Sequence, residues 1–171
     1  YQNNALFIEE KLTFEQMRGR ELARNAEERR QVEEAWFKTD ESYRNQLSSL
    51  ERDRDAAASA DQKKSLEDRI TRLNERHAAE RDSYQAAINN VNERQKLMQQ
   101  AMDDRLSYLE SRNDIRLEMA REPMTEENFD KYRADIATLE ENRISGERQI
   151  RDRLASLAGS IPAAYRMASM D

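Results

Sequence analysis

The sequence predicts an all-α protein made of a few very long helices. Three observations carry that prediction. Between Arg20 and Glu122 there is neither glycine nor proline, the residues that normally punctuate a chain. Apolar residues recur three and four apart, the spacing of one helix face. Charged residues make up 37% of the chain, as much as the hydrophobic set, and aromatics only 6%, with a mean hydropathy of -1.13. That is too little apolar volume for a globular interior and enough for narrow seams between helices. One unbroken helix over the punctuation-free stretch would run roughly 150 Å, at about 1.5 Å per residue.

Low hydropathy and high charge also mark disordered chains. Two features point to order instead. The net charge is only -6, because acids and bases are interspersed, and the apolar residues keep helical spacing.

The first segment spans residues 5–57. Ile8, Leu12, Leu22, Ala26, Trp36, Tyr43, Leu47 and Leu50 share one alternating register, that of a coiled-coil seam. Gly19, Arg29, Glu33 and Arg54 fall in the same register. Arginine stems can cover a shallow seam while their heads reach water, but such residues are costly in a deep core.

A second segment spans 62–120. Its seam reads Leu66, Ile70, Leu73, His77, Tyr84, Ala87, Val91 and Met98. Beyond Met98 the stripe drifts through Met102, Leu106, Leu109, Asn113 and Leu117, closer to an eleven-residue pattern. The two registers do not join across Asp55–Asp61, and two topologies fit. A fold-back near 56–61, with Ser59 or Asp61 capping the new helix, gives an antiparallel hairpin. A continuous helix with a skipped seam is the alternative, favoured by the alanines. Residues 1–122 are accordingly one long helical, coiled-coil region with a turn at 56–61 in the first topology.

Pro123 ends that region, because proline drives the residue before it out of helical geometry. Thr125 with Glu126 and Glu127 reads as a capped start, and Phe129, Tyr132, Ile136 and Leu139 form a third stripe. A shorter third helix is expected over 123–158, with Glu127–Lys131 and Glu147–Arg151 as supporting pairs. Residues 159–171 are small, apolar and nearly uncharged, as in a tail or linker.

Catalytic and metal chemistry finds little footing. His77 is the sole histidine and reads as a seam residue bonded to Glu80 or Arg81. Asp53, Asp55 and Asp61 lack the glycine and glutamate of a calcium loop, with Ala58 and Lys64 at those positions. There is no cysteine, no glycine-rich phosphate loop and no nucleophile elbow. The reading is a non-enzymatic chain without cofactor or metal. Most of the 29 basic residues are arginine, yet they alternate with acids, so no direct nucleic-acid contact is expected. No apolar run approaches the ~20 residues of a membrane span. Met98, Met102, Met119, Met124, Met167 and Met170 gather in the second half, as core filling or as an adaptable docking surface.

The segments Glu27–Trp36, Tyr43–Arg52 and Leu73–Arg81 are written in glutamate, arginine and alanine with sparse aromatics. In this the chain resembles the helical stretches of bacteriophage tail tape-measure proteins. The resemblance covers most of 20–155, without a diagnostic motif, and it transfers no functional residue. It implies an extended oligomeric rod in a virion tail, whose length sets that of the tail; without it, a cytoplasmic location is the expectation. Such proteins are usually much longer, and the chain opens on Tyr1 rather than methionine, as an excised piece or processed product would.

The expected function is that of a structural coiled-coil spacer or scaffold. Its expected partners are proteins, most simply further copies of itself in a dimer or trimer. The alternative is a helical adaptor that docks a protein through its Met-rich second half and C-terminal tail.

Overall fold

A computed structural model describes residues 2–166. Three long helices account for nearly all of them: α1 (Gln2–Asp55), α2 (Ala60–Arg121) and α3 (Glu126–Gly159). A single 3₁₀ turn follows at Ala163–Tyr165. The fold is all-α, as the periodicity predicts.

The breaks fall where local chemistry dictates. At the end of α1 the last amides turn back, Ala56 N–H to Arg52 and Ala57 N–H to Arg54. Ser59 then caps α2, its Oγ accepting from Gln62 N–H at 3.2 Å. Ser59, rather than Asp61, is the cap. Thr125 caps α3 in the same way, accepting from Asn128 N–H at 3.2 Å. Asn128 also donates its side-chain amide to the Pro123 carbonyl, which ties the connection to the helix it starts.

These helices divide into two compact units, each assembled from separate parts of the chain. Unit 2 comprises residues 26–91 together with the segment from Ser160 onward. Here the chain folds back. Trp36 meets Tyr84, Asp40 pairs with His77 and Tyr43 with Asn74, so residue numbers rise on one helix as they fall on the other. This is the antiparallel hairpin, and it removes the continuous-helix alternative. Its core gathers Val32 from α1, Ala87, Ile88 and Val91 from α2, and Ile161 and Tyr165 from the last segment. The stretch read as a tail or linker therefore packs its first residues into a core; Met167 and Met170 lie outside the described residues.

Unit 1 comprises residues 1–25 and 92–159. Its part of α2 is flanked on two sides. Arg112 and Arg18–Asp103 tie it to α1, through Glu10 in the first case, while Tyr108–Glu140 and Arg105–Glu147 tie it to α3. Two flanking helices require two apolar faces. Tyr108 and Leu109, adjacent in sequence, are both buried, which a single seam does not allow. The drift beyond Met98 is this second face.

One part of the expected seam moves. Upstream of Trp36 the protected face of α1 steps back one residue. Val32 and Asn25 are buried where Glu33 and Ala26 were expected, and Phe7, Phe14 and Arg18 are half-buried in the same phase. Two successive four-residue steps, Glu28–Val32–Trp36, produce the shift. Ile8 and Leu12, expected on the seam, are instead more than half exposed, at 53% and 54%. Phe129 is also exposed, because the first turn of α3 turns the anchored Asn128 inward.

Candidate functional site

The densest chemistry of unit 2 is an aromatic ladder across the hairpin. Tyr43 and His77 stack with ring centroids 3.6 Å apart. Trp36 lies 5.2 Å from His77 and stacks on Tyr84 at 5.0 Å, and Tyr84 meets Tyr165 at 6.4 Å. Residues Trp36 and Tyr43 are one heptad apart, as are His77 and Tyr84, so both pairs recur on one face of their helix. His77 Nε2 donates to Asp40 Oδ1 at 2.9 Å, across the hairpin rather than to Glu80 or Arg81 on its own helix. Arg44 holds the other oxygen of Asp40 at 3.1 Å. Burial pushes the phenols of Tyr84 and Tyr165 up, with the Glu33 carboxylate adding to the first and Tyr84 to the second.

Below the ladder, Leu47, Leu50, Leu66 and Ile70 are half-buried and Leu73 is buried. They extend the same seam toward the turn.

Unit 1 carries a different device. The buried Tyr108 ring is approached by three guanidinium groups, those of Arg105 at 5.2 Å, Arg112 at 5.4 Å and Arg143 at 5.2 Å. Its hydroxyl donates to Glu140. Glu140 also accepts from Arg143 at 2.8 Å, and Glu10 of α1 accepts from Arg112. The Tyr108 hydroxyl and the Arg143 guanidinium together hold the Glu140 carboxyl below the usual carboxylate range. Glu147, expected to pair with Arg151, reaches Arg143 and Arg105 instead. The network joins all three helices through groups that neutralise one another, and it leaves no one-signed field for an anion. Arg153, near the end of α3, faces Glu93 at 3.7 Å.

The remaining expected seam residues are distributed as follows. Tyr132 and Val91 are buried, and Leu22, Met98, Ile136 and Leu139 are half-buried. The Glu122 carboxylate and then burial push the Tyr132 phenol up to about 12. Met98, Met102 and Met119 are half-buried, while Met124 is exposed in the turn before α3. Sequence reasoning missed Tyr108, Val32, Ile161 and Tyr165. Adjacent apolar pairs such as Tyr108–Leu109 were the available signal for the first.

Among the described residues no group of three or more acidic or histidine side chains is placed to hold a metal, and no helix is long and apolar enough to cross a membrane. No family model, curated protein or solved structure matches the chain.

Proposed function

We propose that this chain is a structural helical scaffold that acts through self-association. The single observation that supports this reading most is where apolar surface remains. Among the described residues, seven of the eight exposed large hydrophobic side chains belong to unit 1: Leu6, Ile8, Leu12 and Met17 on α1, with Met124, Phe129 and Ile144 in the α3 region. On α1, Ile8 and Leu12 share one face, and apolar surface grouped in that way marks association sites. The rest of the distinctive chemistry, the aromatic ladder and the Tyr108 network, joins helix to helix within each unit.

The fold-back modifies the spacer idea. A helix doubled on itself in unit 2 does not act as a single-stranded ruler, so the scaffold works through its joined surfaces. The likeness to tape-measure helical stretches makes a virion tail the setting we propose for it. The adaptor reading is weaker. Ile161 and Tyr165 pack within unit 2, and three of the methionines it relied on are half-buried.

Size-exclusion chromatography with in-line light scattering tests the reading. A mass above the 20.2 kDa of one chain, rising with concentration, is expected. A single-chain mass at every concentration would sink it.

A further inference from the structure

The outward face of the first part of α1 is built like a second seam. Ala5, Ile8, Leu12, Gly19 and Ala23 are all exposed. At 3.6 residues per turn they fall within about 60° of one another around the helix. They lie roughly a quarter-turn or more from the face of Phe7, Phe14 and Arg18 that packs inward. Gly19 sits in mid-helix, where glycine is the poorest former after proline. A Cβ there would meet nothing within 4 Å, so the chain's own packing does not call for a glycine. A hollow at Gly19, beside a protruding Ile8 and Leu12, fits the close approach of another helix.

Shape and charge together say how a second helix lies on this face. On one flank of the stripe stand Glu9 and Arg20, both exposed and neither in an ion pair among the described residues. On the other stand Glu15 and Lys11. In each pair acid and base lie at different heights along the axis. A parallel two-fold copy would set Ile8 on Ile8 and Gly19 on Gly19, a protrusion on a protrusion and a hollow on a hollow. An antiparallel copy, with its two-fold axis near residues 13–14, sets Glu9 of each chain beside Arg20 of the other, and Glu15 beside Lys11. The same axis lays Ile8 over Gly19.

We infer that this stripe is an antiparallel docking surface for the α1 helix of a second copy of the chain, with Ile8 seated at Gly19 and Glu9 paired with Arg20 across the axis. The inference rests on the self-association reading and names its surface. A two-fold contact is self-complementary, so one stripe supplies both halves of it.

The test measures mass and dimer dissociation constant by light scattering on the full chain, with circular dichroism to confirm that helicity is kept. Wild type is expected at twice the mass of one chain. Ile8→Asp and Gly19→Leu are each expected to yield single chains, the second despite its better helix propensity. Glu9→Arg or Arg20→Glu alone should weaken association about tenfold, and the double variant should restore it. Wild type at single-chain mass throughout would overturn this inference and the scaffold reading together. An assembly indifferent to all these variants would overturn this surface alone. Weakening by the single charge variants without rescue in the double would overturn the antiparallel arrangement.

Discussion

Tyr43 of α1 and His77 of α2 lie ring on ring, 3.6 Å between centroids, and hold opposite arms of one hairpin. The contact unites residues that lie far apart in sequence, and Asp40 fixes the imidazole from the side.

Replacing His77 separates the two parts of that contact. His77→Ala removes both the ring stack and the Asp40 bond and should cost about 2 kcal/mol. His77→Phe keeps a ring and loses only the bond, at about 1 kcal/mol. Urea midpoints of the two variants decide it. Equal losses would mean that the stacking contributes nothing.

The last described segment should be worth as much to unit 2 as a piece of its helices. Ile161→Ala is expected to cost about 2 kcal/mol and Tyr165→Ala about 3 kcal/mol, as for other large-to-small core changes. Amide exchange should accelerate over residues 84–91, where these side chains pack. Unchanged exchange there would show that the segment does not hold the core.

Gly146 offers the opposite sign. It opens on a cleft of about 200 Å³ lined by Ser107, Ser111, Leu139, Asn142 and Ile150, and a Cβ would touch nothing within 4 Å. Gly146→Ala should therefore stabilise α3 by about 0.5–1 kcal/mol, through a less flexible unfolded chain and better helix propensity. A lowered melting temperature would contradict this.

Tyr132 predicts an alkaline limit. The Glu122 carboxylate and burial push its phenol up to about 12 in the folded chain against 10.0 when free, so the fold favours the protonated form. Its contribution is complete below pH 10 and is lost as the pH climbs from 10 to about 12. Phenolate absorbance should show a late-titrating tyrosine that disappears in Tyr132→Phe. A variant with the wild-type titration curve would reassign that step.

Much of the fold is legible where chemistry is local. Pro123, Thr125 and Ser59 announce their breaks, and the Leu66–Tyr84 stripe announces its buried face. What is not local is not legible. Continuity or fold-back at residues 56–59 is decided by pairs such as Asp40–His77, which no single-helix pattern contains. The misfit residues Gly19, Arg29 and Glu33 on the expected seam were a usable sign, since a stripe that keeps meeting charge is one residue out of phase. Ile161 and Tyr165 gave less warning, because two apolar residues around a proline read equally as linker or as anchor. Tyr108 was hidden by its neighbours: a helix covered on two sides loses the clean period that identifies one covered on a single side.

Each compact unit is stitched from pieces that leave the ribosome at different times. Residues 26–91 are synthesised long before Ile161 and Tyr165 emerge to close the core they share. Glu10 likewise waits for Arg112, 102 positions later. The first part of α1 must stay exposed until its partners at Asp103 and Arg112 have been made. Folding is thus obliged to be late rather than progressive, and slower than the short-range contacts of an ordinary helical bundle would allow.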